Sequence, residues 1–176
     1  MNRNKRDQIE QQAEKVLHQT RAWQVPVPID RVAQGLNLRT EATALGDDIS
    51  GLLVVEKRHG AIGYNATHAR VRQRFTIAHE VGHYVMHVGT SNQSRLFIDR
   101  YVAFRDDESS EGSDMKEVEA NAFGAALLMP ARLVRDEIKK HDLDLDDEDD
   151  LGALAKRFNV SSTAMSYRLV NLGLLR

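Results

Sequence analysis

Apolar residues recur three or four positions apart along much of the chain, a spacing that aligns them on one face of a helix. The first such stretch runs from Asp7 to Trp23 and ends before two prolines that break the pattern. The longest runs from about residue 67 to Gly89, a residue suited to ending a helix. The same spacing predicts further helices at 29–36, 115–129 and 131–140, and two short helices within 151–175.

Short runs of β-branched and aliphatic residues predict a small sheet beside these helices. Ile49–Val55 and Ala61–Tyr64 are separated by a short polar segment ending in Gly60, which is typical of an antiparallel hairpin. Leu36–Thr40 is a further candidate strand, and residues 96–104 are compatible with extended structure. The predicted fold class is therefore α+β, a mostly helical core with a small antiparallel sheet.

The C-terminal segment Leu151–Leu175 has the pattern of a helix-turn-helix, with a turn at Asn159 and Ser161 placed to cap the second helix. A chain of 176 residues has room for one sizeable core and a small module. We therefore expect a core over residues 1–140 and a helix-turn-helix-like module over 141–176 that packs on it.

The composition restricts the chemistry that the chain can perform. It has no cysteine, which excludes disulfides, thiolate metal ligands and a cysteine nucleophile, so any metal must be held by histidine and carboxylate groups. The formal net charge of -2 provides no global attraction to nucleic acid or to membranes. The polar N-terminus lacks the apolar core of a signal peptide, and no run is apolar enough to span a bilayer, so we expect a cytoplasmic protein.

The most informative motif is H-E-x-x-H, formed by His79, Glu80 and His83 within the longest predicted helix. Residues four apart project from the same side of a helix, so both imidazoles can reach one metal ion. Glu80 is rotated by about 100° from His79 and can reach a bound water without coordinating the metal. This pattern predicts a catalytic zinc ion with Glu80 as the general base.

A catalytic zinc ion normally takes three protein ligands, so a third must come from another element. The helix predicted around 115–129 offers Glu119, which shares a face with apolar residues and would point into the interior. A buried carboxylate is costly without a cation, which favours Glu119 as the third ligand. Glu117, on the face of Asn121 and Gly124, is the second choice.

The segments RQRFTIAHEVGHYVMH and VEANAFGAALLMP, with ISGLLVV and AIGYNATH before them, resemble the ImmA/IrrE family of metallopeptidases. By position, the resemblance implies that His79, His83 and Glu119 are zinc ligands, as in the gluzincin class, and that Glu80 is the catalytic acid and base. It also implies a protein substrate, a helix-turn-helix transcriptional repressor whose cleavage derepresses stress-response or mobile-element genes. Manganese in place of zinc stays open.

Two further functions remain as alternatives to an endopeptidase. In the first, a poorly active metal site only shapes a surface that binds and sequesters a regulator. In the second, the chain is a DNA-binding factor with a structural metal. Direct DNA binding is not expected, because the exposed face of the second C-terminal helix offers one cation, Arg168, and the acidic run 142–150 precedes it.

The residue that stabilises the oxyanion is left unassigned by the sequence. Its candidates are Tyr84, His87, Tyr101 and His68. Substrate is hypothesised to add as a strand along a sheet edge formed by Leu52–Val55 or Ala61–Tyr64.

Overall fold

A computed structural model describes residues 1–46, 48–56, 59–88, 95–100 and 111–175. Within these ranges seven helices accompany four strands, which confirms the α+β class. The helices are α1 (Arg3–Gln19), α2 (Ile29–Gly35), α3 (Arg70–His83, continued by a π-helical turn at Tyr84–Val88), α4 (Glu111–Leu128), α5 (Ala131–His141), α6 (Glu148–Phe158) and α7 (Ser162–Asn171). The strands are β1 (Leu38–Thr43), β2 (Ile49–Glu56), β3 (His59–Asn65) and β4 (Arg95–Arg100).

The four strands form one sheet in the order β1-β3-β2-β4. The predicted hairpin is present, since β2 and β3 pair antiparallel with Leu53 opposite Ile62. The sheet is mixed rather than antiparallel, because β1 pairs parallel with β3. The sheet order places β3 between β1 and β2. β2 and β3 run in opposite directions, whereas β1 and β3 run in the same direction.

The hairpin strands proposed as a docking edge lie in the interior of the sheet. β1 covers β3 and β4 covers β2, so Leu52–Val55 and Ala61–Tyr64 have partners on both sides. That hypothesis about the edge was therefore wrong. Part of the predicted extended segment 96–104 is β4, and its residues 101–104 lie outside the described ranges.

Two glycines allow α3 and α4 to touch main chain to main chain. A Cβ on Gly82 would lie 2.9 Å from the carbonyl oxygen of Ala120, and a Cβ on Gly124 would lie 3.2 Å from the backbone nitrogen of His79. Larger residues would separate the helices by the size of a side chain. This contact fixes the distance between the two helices that carry the candidate site.

The helix-turn-helix-like pair is present as predicted and packs on the core. Asn159 adopts a left-handed conformation at φ 54°, and the Ser161 hydroxyl accepts from the Ala164 amide to cap α7. Arg168 is buried and donates to the carbonyl of Met129. It also forms a bidentate ion pair with Glu10, in which Nη1 lies 2.5 Å from Oε1 and Nη2 lies 2.8 Å from Oε2. The division of the chain at residue 140 stays a prediction.

Within the described part of the chain, no helix combines the length and apolar character needed to cross a bilayer.

Candidate metal centre

α3 presents His79 and His83 on the same side, one turn apart. Their side chains are almost fully buried, and the two Nε2 atoms lie 3.0 Å from each other. The helical spacing that the sequence shows thus produces the convergence that it predicts. Apolar residues of α3 such as Ile77 and Val81 are buried in the core and hold the helix in place.

Glu117 of α4 completes this cluster. Its Oε2 lies 3.2 Å from Nε2 of His79, and its Oε1 lies 3.1 Å from Nε2 of His83. When four ligand atoms surround a zinc ion tetrahedrally at about 2.0–2.1 Å, neighbouring ligand atoms lie about 3.3 Å from each other. The distances between the nitrogen and oxygen atoms here are close to that value. Atoms that carry lone pairs repel at this distance unless a proton or a cation lies between them. The donor set therefore fits a divalent cation.

Glu119, the expected third ligand, lies elsewhere. Its Oε1 forms an ion pair with Nζ of Lys5 on α1 at 2.9 Å, and its side chain is 15% exposed. The shielded carboxylate of Glu119 thus meets a cation, as its position in the sequence predicts, and the cation beside it is the ammonium group of Lys5. The structure places Glu117, the second choice, beside the histidines, and its side chain is 39% exposed.

Asn121 of α4 contacts the ring nitrogen of His79 that faces away from Glu117. Its Oδ1 lies 3.0 Å from Nδ1 of His79. An amide oxygen only accepts, so Nδ1 carries a proton, and Nε2 is the ring nitrogen that faces Glu117 and is available to a metal ion. Such outer partners fix the tautomer and the ring orientation of a metal-binding histidine. Glu117 and Asn121 are four residues apart, so one face of α4 supplies both contacts.

Glu80 lies fully buried between the helix and the sheet. Gly51 of β2 makes room for it, since an added Cβ there would lie 3.3 Å from Oε1 of Glu80 and would collide with the side chain of Thr76. Position 51 is therefore restricted to glycine mainly by the side chain of Thr76, and the Glu80 carboxyl group lies close behind it.

The electrostatics of the cluster favour an ionised Glu117. Burial alone would raise the pKa of its carboxyl group, but hydrogen bonds and charge interactions with His79 and His83 outweigh burial and hold the pKa well below its usual range. The Glu117 carboxylate is therefore a charged ligand at neutral pH, as a metal site requires.

An aromatic ring and a second hydrogen bond border the cluster. Phe97 of β4 stacks on the ring of His83 at 4.9 Å between centroids. Nε2 of His87 donates to the carbonyl of Lys116 at 3.1 Å and so links the π-helical turn to the residue before Glu117. Burial lowers the pKa of the His87 imidazole and outweighs the hydrogen bond to Lys116, which raises it. The lowered pKa favours a neutral ring at neutral pH.

The structure describes three of the four oxyanion candidates. Nε2 of His87 is already engaged by Lys116, and Tyr84 is half-buried in the π-helical turn. His68 lies in the turn before α3, and Tyr101 lies outside the described residues. The assignment of an oxyanion group stays open among these residues.

Sequence reasoning missed three contacts around the site. The roles of Lys5, Asn121 and Phe97 depend on which elements meet, which one sequence does not reveal. For Glu117 a signal was present, because it shares its face with Asn121 and Gly124, and Gly124 allows that face to approach α3.

A match to a known protein family covers the part of the chain that carries this centre. The family model described as Peptidase_M78, IrrE N-terminal-like domain, matches residues 33–170. The match covers both the α3 and α4 segments and extends through most of the C-terminal pair. Among curated proteins, no sequence matches significantly.

Proposed function

The chain belongs to the Peptidase_M78 family of IrrE N-terminal-like domains, and on this premise we propose that it is a zinc-dependent endopeptidase that cleaves a protein substrate. The substrate proposed is a helix-turn-helix transcriptional repressor, whose hydrolysis would derepress stress-response or mobile-element genes. One observation carries the proposal: the Nε2 atoms of His79 and His83 lie 3.0 Å apart, and each lies 3.1–3.2 Å from a carboxylate oxygen of Glu117 on the neighbouring helix.

In this proposal His79, His83 and Glu117 would hold the ion, and Asn121 orients His79. A bound zinc ion supplies Lewis acidity, which lowers the pKa of water and polarises a carbonyl group. Glu80 takes the proton of the attacking water and returns it to the leaving amine. Its burial beside Gly51 limits the positions that the carboxyl group can adopt. A purely structural site would have no use for such a base.

A sheet edge lies next to this centre and suits an extended substrate. Among the described strands β4 pairs only with β2, and its Phe97 contacts His83. A peptide segment that pairs with the outer side of β4 would satisfy the main-chain groups of that strand and bring a peptide bond near His83.

The C-terminal pair is proposed to support the core rather than to read DNA. Arg168, the one cation on the predicted recognition face, is 5% exposed and bound to Glu10. A guanidinium group held in this way does not reach a phosphate, so α7 lacks the contact that would anchor it on a duplex.

The test is incubation of the zinc-loaded protein with purified helix-turn-helix repressors, with any fragments identified by mass spectrometry. The Glu80→Gln variant is expected to keep one equivalent of metal and to lose at least 100-fold in rate, the size of a general-base contribution. Cleavage by Glu80→Gln at the wild-type rate would refute the role of Glu80. Derepression in cells by a variant that does not cleave would favour sequestration instead.

A further inference from the structure

A second concave surface is lined by residues of α1, α4, α5 and the end of α7, and it meets the candidate metal centre at Asn121. It encloses about 1110 Å³. Its apolar lining residues include Ile9, Ala122, Ala125, Ala126 and Leu172, and we call these its floor. Small-molecule sites typically enclose about 300–1,000 Å³, so this volume fits an occupant at or above the upper end of that range.

Four arginines line this surface, two from each of two helices, which we call its walls. α1 contributes Arg3 and Arg6, and α5 contributes Arg132 and Arg135. Within the described ranges none of the four is ion-paired with a carboxylate. We call the surface bordered by these four residues the arginine groove.

Acidic side chains in the arginine groove offset this charge only in part. Glu10 is neutralised by its ion pair with Arg168, and Glu14 lies 3.6 Å from His18. Asp7 is the third acid on the lining. The four arginines thus outnumber Asp7 and Glu14, on a chain whose formal net charge is -2. This local excess of positive charge attracts an occupant of the opposite sign.

We propose that the arginine groove binds an acidic amphipathic segment of a partner protein, with its carboxylates on the arginines of both walls and its aliphatic side chains on the apolar floor. Guanidinium groups bind carboxylates through two parallel hydrogen bonds, which gives the walls geometric selectivity. From Arg3 to Glu14 the α1 wall spans about 17 Å, the length of an 11-residue helix. The binding requires neither a metal ion nor cleavage, so it is testable whether or not the chain is a peptidase.

Trp23 provides the signal for this test. It is the single tryptophan of the chain and it lines the arginine groove. The probe is a synthetic 14-residue peptide in which pairs of Glu alternate with pairs of Leu, and the control probe carries Gln at every Glu position. Calorimetry measures the dissociation constant for the full chain, and the fluorescence of Trp23 reports where the peptide lies.

The matched variants are both on α5. Arg132→Glu with Arg135→Glu reverses the charge of one wall and places acids near the N-terminus of α5, which the helix dipole tolerates. Lys139→Glu with Lys140→Glu makes the same change at exposed positions that do not line the groove. Circular dichroism establishes that both variants are folded.

The acidic peptide is expected to bind the wild type and the Lys139/Lys140 variant equally, and at least tenfold more weakly to the Arg132/Arg135 variant. Its affinity should fall with added salt, and Trp23 fluorescence should change on binding. The absence of saturable binding would overturn the proposal, as would equal affinity for the Gln peptide or equal weakening by both variants. Equal binding of sodium tripolyphosphate, with displacement of the peptide, would also overturn it and identify a small-anion site.

Discussion

Replacing Glu117 by glutamine removes the charged ligand of the candidate centre while nearly preserving its shape. An apparent zinc-binding free energy of about 10 kcal/mol, shared equally among three protein ligands, assigns about 3 kcal/mol to each. Loss of the Glu117 carboxylate should therefore weaken zinc binding by two to three orders of magnitude. Both oxygens of Glu117 contact imidazole nitrogens, at 3.1 and 3.2 Å, so an amide would also place a donor group in the cluster.

Glu119→Gln is the matched control, two residues away on the same helix. It breaks the ion pair with Lys5, whose side chain is 34% exposed, so the loss in stability should be about 0.5 kcal/mol or less. Zinc affinity is measured by competition with a chromophoric chelator, and stability by urea denaturation of the metal-free proteins. Weaker zinc binding in Glu119→Gln than in Glu117→Gln would refute the assignment of the third ligand to Glu117.

The remaining predictions concern the supports of the site. Asn121→Ala should lower zinc affinity by about 10–100-fold and allow the Nδ1 tautomer of His79 to exchange, as seen by nitrogen NMR of the imidazole; an unchanged affinity would contradict its orienting role. Gly82→Ala should destabilise the fold by about 1–3 kcal/mol, because the new methyl group would meet the carbonyl of Ala120 at 2.9 Å. Thermal unfolding measures this loss. Gly152→Ala is the control, since nothing lies within 4 Å of a Cβ there. Equal melting temperatures for the Gly82→Ala and Gly152→Ala variants would refute the close contact.

The local parts of the fold were predictable because short-range physics determines them. The spacing of His79 and His83 already defines a shared side of one helix, and Ser161 and Asn159 define a turn through capping and a left-handed backbone. The hairpin of β2 and β3 followed from its strands and short connection in the same way. None of these features requires knowledge of a distant partner.

The features that the sequence did not reveal depend on tertiary contacts. The choice between Glu117 and Glu119 is set by which face of α4 meets α3 and which meets α1, and both glutamates have plausible surroundings in the sequence. Lys5 is 114 positions from Glu119, so no local pattern indicates their ion pair. The parallel pairing of β1 with β3 likewise follows from the path of the chain around the sheet.

The touching backbones at Gly82 and Gly124 also influence how this centre can vary. Where side chains separate two helices, a neighbouring side chain can accommodate a substitution by changing its rotamer. Here the backbones touch, so a larger side chain can be accommodated only if a whole helix moves. Random mutagenesis should therefore find many tolerated changes on the outer faces of α3 and α4 and very few at these two glycines. A designer who wishes to transfer the centre to another scaffold would need to copy the pair of glycines together with the ligands.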